Sequence, residues 1–193
     1  MPFRDLPEFA AWQHRDARDG FEVVFMHTDD HGYRLEGVTA AVEDGEGWAV
    51  HYWITVDSSW VTRGARASGR SASGRHELTL EADGAGRWRI NGQAAPHLDG
   101  CLDVDLESSA LTNTLPVHRL RLGVGQEADA PAAYVRAADV SVERLEQRYV
   151  RLEDGPDGER YGYTAPRFEY EGELRYDEFG LVLDYPGIAV RRD

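Results

Sequence analysis

Between positions 99 and 122 the chain reads Asp-Gly-Cys-Leu-Asp-Val-Asp-Leu-Glu-Ser-Ser-Ala-Leu-Thr-Asn-Thr-Leu-Pro-Val-His-Arg-Leu-Arg-Leu. Strand alternation turns Leu102, Val104 and Leu106 one way and Cys101, Asp103 and Asp105 the other. A second alternating run puts Val117, Arg119 and Arg121 on one face and His118, Leu120 and Leu122 on the other, which predicts a hairpin bent near Thr112. Carboxylates, guanidiniums, hydroxyls and an amide then converge on one bend, a set suited to a polyhydroxylated ligand. Asp103 and Asp105 would hold their Cβ atoms about 6.5–7 Å apart, within the roughly 5–9.5 Å of the carboxylate pairs that hydrolyse glycosides. Any Asp-x-Asp on a strand meets that spacing. A hairpin register with Asp103 opposite Arg119 equally predicts a cross-strand ion pair of about 0.2–1 kcal/mol. Ligand binding, salt bridging and hydrolysis through Asp103, Asp105 or His118 therefore stay open.

Other constellations carry less chemistry. His27-Thr-Asp-Asp-His31 has metal-ligating residue types, but it spans a strand end and a turn, where the spacing prepares no site. Cys101 is the single cysteine, so neither a zinc cluster nor an intrachain disulfide is available. Gly123-Val-Gly125 lacks the third glycine and the helix of a nucleotide fingerprint, and Ser108 and Ser109 lack the turn of an esterase nucleophile. No cofactor or metal is expected. Arg63, Arg66, Arg70 and Arg75 form a local basic segment among small residues, fit for an anionic group or a solvated hairpin. The 5 Trp and 9 Tyr have apolar bodies and polar tips that suit an amphipathic ligand. Trp53, Trp60 and Tyr185 are the candidates among them, with Trp88 and Tyr134 beside them.

The elements that must hold these groups are strands. Runs at residues 21–27, 33–42, 48–56, 60–68, 76–82, 88–90, 133–136, 140–145, 149–152, 168–176, 181–184 and 188–191 are rich in Val, Tyr, Trp and Thr and are separated by Gly, Asp and Ser clusters,. The run 48–56 is apolar on both faces, which predicts burial on both sides. The run 168–176 alternates Phe168, Tyr170, Leu174 and Tyr176 with Glu169, Glu171, Glu173 and Arg175, a half-buried pattern. Asn91-Gly92 predicts a tight turn. Residues 6–18 allow a helical turn or two, with Pro7 early and Gly20 beyond. No break divides residues 1–193, so one domain is expected: all-β, an antiparallel roll or barrel-like spiral with little helix.

A formal charge of -14 with no lysine argues against nucleic-acid partners and against adsorption to anionic membranes. No apolar run is long enough for a membrane span and the N-terminus has no secretory pattern, so no stable anchoring and a cytoplasmic location are expected.

Residues 99–106, together with Ser109-x-x-Thr-Asn-Thr-Leu-Pro-x-x-Arg-Leu120, resemble the signature of a bacterial glycolipid-binding family long catalogued as a domain of unknown function. Trp12 with Gly20-Phe-Glu22, Gly86-Arg-Trp88-Arg-Ile-Asn-Gly92, Tyr161-Gly-Tyr163 and Gly180 to Gly187 extend the resemblance over nearly the whole chain. One departure is Ala110-Leu111 where the family usually has Pro-Phe. The resemblance implies an extended β-roll similar in shape to lipoprotein carriers, and a glycolipid as ligand. The expected binding groups are Asp103, Asp105, Thr112, Asn113, Thr114 and Arg119, with Trp53, Trp60 and Tyr185. Asn113, flanked by two threonines, is expected at the cavity rim. The alternatives are a hydrolase of a glycoside or ester, and a homodimeric interaction module without a small ligand, marked by an exposed apolar patch.

Overall fold

The computed structural model describes residues 3–156 and 158–192. Its first eight strands are β1 (Phe9–His14), β2 (Asp19–Asp29), β3 (Gly32–Glu43), β4 (Glu46–Asp57), β5 (Thr62–Ser71), β6 (Gly74–Ala82), β7 (Trp88–Ile90) and β8 (Gln93–Ala94). β9 (Asp103–Leu106) precedes the one α-helix among the described residues, α1 (Thr114–Leu120). Then follow β10 (Glu127–Asp129), β11 (Ala132–Val135), β12 (Val142–Leu145), β13 (Arg148–Arg151), β14 (Glu159–Ala165), β15 (Tyr170–Tyr176), β16 (Val182–Tyr185) and β17 (Ala189–Arg192). Fourteen strands form one antiparallel sheet in the order β10-β13-β14-β15-β16-β17-β1-β2-β3-β4-β5-β6-β7-β8, and a small sheet β12-β11-β9 packs inside it. β1 pairs with both β2 and β17, so the two ends of the chain lie side by side in the sheet.

Local chemistry sets the hairpins. Asp44 and Gly45 both take positive φ between β3 and β4, as do Asn91 and Gly92 between β7 and β8. That is the geometry of a two-residue turn whose twist matches its strands. The expected Asn91-Gly92 turn is therefore present, and the alternation of β15 buries Leu174 and Tyr176 while its glutamates stay at least partly exposed.

Three expectations are corrected. The run 48–56 lies in β4, which is buried on one side only: Trp48, Val50, Tyr52, Ile54 and Val56 face inward, while Trp53 and Thr55 stand in solvent. Among the described residues the sheet is a single layer whose convex side carries no second layer. Within residues 6–18 there is no helix; Phe9–His14 form β1 instead, because the inward face of Ala10, Trp12 and His14 completes the sheet between its neighbours. Residues 117–122 do not form a second hairpin strand. Leu111–Asn113 make a 3-10 turn that runs into α1. Pro116 sits in the first turn of the helix, where its missing N–H costs nothing, and Arg121 ends it at φ 47°.

Two apolar clusters fill the roll. One joins Trp12, Tyr52, Ile54, Leu80 and Trp88 to Val104 and Leu106 of β9. The other gathers Tyr149, Tyr161, Tyr163, Leu174 and Tyr176 against Val117 of α1. β9 lies between them, so both of its faces are buried. Asp103 and Asp105 consequently point into the protein.

Candidate functional site

The polar residues of the 99–122 segment build a buried belt. Arg119 on α1 donates from Nε to Asp103 Oδ1 (3.0 Å) and from Nη2 to Oδ2 (2.5 Å). The Asp103–Arg119 pair therefore forms, but between strand and helix instead of strand and strand. Burial still holds the Asp103 carboxyl above the usual carboxylate range, because desolvation outweighs the guanidinium,. Asp105 accepts from Thr112 Oγ1 (2.7 Å) and Gln147 Nε2 (2.5 Å), and burial pushes its carboxyl up to about 6. The hydroxyl of Tyr149 donates to Asn113 Oδ1 (2.8 Å) and that of Tyr176 to the Asn113 carbonyl (3.2 Å). The rings of Tyr163 and Tyr185 meet edge to face nearby (centroids 5.9 Å). Thr114 is fully buried, and its Oγ1 has no hydrogen-bond partner among the described residues. A third buried carboxylate, Glu22, accepts from Tyr52 Oη (2.5 Å), Ser109 Oγ (2.5 Å) and the Ala110 N–H (2.8 Å), tying the loop before α1 to β2.

The structure thus brings Asp103, Asp105, Thr112, Asn113, Thr114, Arg119 and Tyr185 into the interior. Asn113 is 3% exposed, so it is not at a rim. Replacing it by Ala is expected to strand the Tyr149 hydroxyl without a partner and to lower stability by about 1–3 kcal/mol. A guanidinium denaturation midpoint unchanged from wild type would contradict that role.

Trp53 and Trp60 lie elsewhere, apart from each other. Trp53 stands on the convex face against His51 (ring centroids 3.8 Å) and beside a shallow groove of about 460 Å³ floored by Gly64. Trp60 belongs to a cleft of about 830 Å³ at one end of the roll. That volume falls within the roughly 300–1,000 Å³ of small-molecule sites.

Asp57 Oδ1 accepts from the N–H groups of Ser59 and Val61 and bends the chain after β4. That bend holds Trp60 at φ 64°, a left-handed conformation costly for a bulky side chain,. The Trp60 ring is sandwiched between Tyr33 (4.4 Å) and His118 (3.8 Å), with Phe3 against the histidine (4.6 Å). This stack forms the cleft floor. His118 Nε2 is hydrogen-bonded to the Phe179 carbonyl (2.9 Å), and burial lowers its pKa to about 4, so the ring is neutral at pH 7,.

Around the floor stand Leu6, Leu122 and Val124 with Arg4, Arg121 and Arg151 and Asp5, Asp154 and Glu159. Arg4 is paired with Glu178, and Arg151 with Asp154 and Glu159. Arg121 donates from Nε to the His118 carbonyl (3.3 Å), and neither it nor Asp5 has an ion pair among the described residues. The cleft therefore offers apolar walls together with a guanidinium, Arg121, and a carboxylate, Asp5, that make no ion pair among the described residues. Reading 117–122 as a strand hid this. The αL turn at Arg121 releases Arg121 and Leu122 from the helix and delivers both to the cleft. No sequence pattern linked them to residues 3–6 or 151–161.

The family model described as "Putative glycolipid-binding" matches residues 9–191. The chain belongs to this family. A crystal structure of a DUF1089-family protein from Pseudomonas aeruginosa is 33% identical, with a TM-score of 0.78 over 89% of this chain and 92% of that one. A β-barrel-like protein of domain of unknown function DUF1849 from Brucella abortus is 11% identical, with a TM-score of 0.55 over 98% of this chain and 95% of that one. The second likeness concerns the fold alone, and it bears out the all-β, barrel-like architecture. No curated protein matches the chain. No helix among the described residues is long and apolar enough to cross a membrane.

Proposed function

We propose that this glycolipid-binding family member holds an amphipathic ligand of the glycolipid class, without turning it over, in the cleft at the Trp60 end of the roll. The observation that carries this reading is the joining of an aromatic floor, apolar walls and two charges without an ion pair among the described residues in one cleft of about 830 Å³. Leu6, Leu122 and Val124 offer apolar surface to an alkyl chain, at roughly 25 cal/mol per Å² covered. Arg121 supplies donors and Asp5 acceptors, the two halves of a sugar's hydroxyl pattern. The resemblance of the 99–122 segment enters through α1. That segment folds into the helix whose last turn presents His118 and Arg121, and Asp103, Asp105 and Asn113 fasten the helix from behind.

Binding without turnover fits the state of the groups a hydrolase would use. Both Asp103 oxygens are engaged by Arg119, both Asp105 oxygens are engaged by Thr112 and Gln147, and the rings of Trp60 and Phe3 pack against His118.

Tryptophan fluorescence titrated with octyl glucoside below its micellar concentration tests the reading, with free glucose and octanol as half-ligands. Saturable binding of the glycoside is expected, with weaker binding of either half. A hydrogen bond to a charged group contributes about 1.5–3 kcal/mol. Arg121→Ala and Asp5→Ala should therefore each weaken octyl glucoside about tenfold or more while leaving the melting temperature unchanged, both side chains being exposed. Equal affinity in wild type and both variants would remove the cleft as the site. Release of glucose from the glycoside would overturn the absence of turnover.

A further inference from the structure

The convex face of the sheet carries a second feature that the cleft does not use. Phe9, Phe21, Phe25, Val38, Val42 and Trp53 are each between 39% and 61% exposed. They are not scattered. All point outward from β1, β2, β3 and β4, and strand register lines them up. Phe9, Phe25, Glu36, Trp53 and Arg66 form one cross-strand row, and Phe21, Ala40, Ala49 and Arg70 form another. Four half-exposed aromatic rings leave on the order of 400 Å² of apolar surface, taking roughly 200 Å² for a whole ring. That is half of the roughly 800 Å² each partner contributes to a standard interface, before the valines and alanines between them are added. Single exposed apolar residues need no explanation, but a contiguous patch of this size does.

We infer that the convex face of β1–β5 is a two-fold interface between two copies of this chain. The arrangement of charge selects this occupant. The whole chain has 35 acidic against 21 basic side chains, yet both rows carry an arginine on β5, Arg66 and Arg70, and continue on β6 with Thr79 and Arg75. Neither β5 arginine has an ion pair among the described residues. A two-fold axis running parallel to the strands between β3 and β4 lays β5 of one copy over β2 of the other and keeps each row in line. Arg66 of the second copy then falls over Phe25, and Arg70 over Phe21, each guanidinium meeting an aromatic face. Trp53 meets the row position of Glu36, and Val38 meets the position of His51, whose Nε2 is hydrogen-bonded to Glu36 (3.0 Å). An isologous contact of this kind uses one patch twice. An anionic bilayer is disfavoured as the occupant by the acidic surface and the complete lack of lysine.

Sedimentation velocity over a range of protein concentrations tests the inference. Wild type is expected to sediment as a dimer at micromolar concentration. Phe25→Glu and Arg66→Glu should each weaken association at least tenfold, with far-ultraviolet circular dichroism unchanged because both side chains are in solvent. Neither residue lines the cleft, so octyl glucoside binding should survive in both variants, and the two proposals can fail separately. A protein that stays monomeric up to about 100 µM, an affinity too weak for a specific interface of this size, would overturn the inference. So would a dimer indifferent to both substitutions. A monomer that co-sediments with phosphatidylcholine vesicles and loses that property in Phe25→Glu would give the face to a lipid surface instead.

Discussion

Arg119→Met is expected to destabilise the protein by about 3–5 kcal/mol, the cost of leaving a buried charge without its partner. Asp103 is 1% exposed and takes both of its short hydrogen bonds from the Arg119 guanidinium. Deleting the guanidinium leaves the carboxylate either charged in an apolar interior or protonated at a cost. Burial raises its carboxyl above the usual range even with the arginine present, so loss of the guanidinium favours the protonated form further,. The double variant Asp103→Leu/Arg119→Met removes both charges and should regain most of the stability, since a buried pair replaced by apolar side chains is often neutral or better. Guanidinium denaturation of the two single variants and the double variant closes the cycle. A cost below about 1 kcal/mol for Arg119→Met would place the pair among surface ion pairs, which contribute little. The cleft should feel the loss too. α1 carries Arg119 on its buried side and ends in the turn that holds His118 and Arg121 at the cleft, so octyl glucoside affinity should fall along with stability.

The fate of this pair shows what could be read from the sequence. That Asp103 and Arg119 meet follows from their types and from the chain reversing between them, and either a hairpin or a strand followed by a helix satisfies that. Segment 114–120 is too short for period to decide: His118, Leu120 and Leu122 alternate as in a strand, while Leu111, Leu115 and His118 repeat as in a helix. Thr-Asn-Thr ahead of Pro116 was the better signal, because these residues accompany helix starts as readily as bends. The strands themselves were legible because the roll is one layer and most of its strands have a wet face, which imposes alternation. β4 misled because its convex face is apolar too. Trp53 and Ala49 there resemble core residues to any rule based on hydrophobicity, and only the absence of a covering layer exposes them. The cleft was least legible of all. Phe3, Trp60, Arg121 and Tyr161 come from four distant segments, and nothing local in any of them marks an encounter created by the closure of the roll. Trp60 alone among the expected binding residues lines that cleft, and its left-handed backbone is a property of the turn after Asp57 that residue types do not announce.

Asp105→Asn is expected to change the pH dependence of stability by up to about 3 kcal/mol. The Asp105 carboxyl lies at about 6 in the folded protein against 3.8 for the free side chain, first because burial desolvates it and also because Asp103 and Glu107 are close. Between those two values the folded state keeps a proton that the unfolded state has released. Folding therefore binds the proton, and the contribution of Asp105 to stability falls as pH rises from about 4 to about 6. Roughly two pKa units at 1.36 kcal/mol each set the size of the effect. His14 and His118, both lowered to about 4 by burial, act in the opposite sense: their contribution is lost as pH falls from about 6.5 toward 4. The overall profile is thus a balance, but the histidines are common to wild type and variant and cancel in the difference. At pH 4 the two proteins should be about equally stable, because the protonated Asp105 carboxyl, like an amide, turns one acceptor oxygen and one donor toward Thr112 and Gln147,. At pH 7 wild type carries a buried carboxylate that the variant lacks, and the variant should be the more stable of the two. Urea denaturation of both proteins at the two pH values reads this directly. Parallel stability curves for wild type and variant would mean that Asp105 ionises normally inside the fold, and that Thr112 and Gln147 fully offset its desolvation.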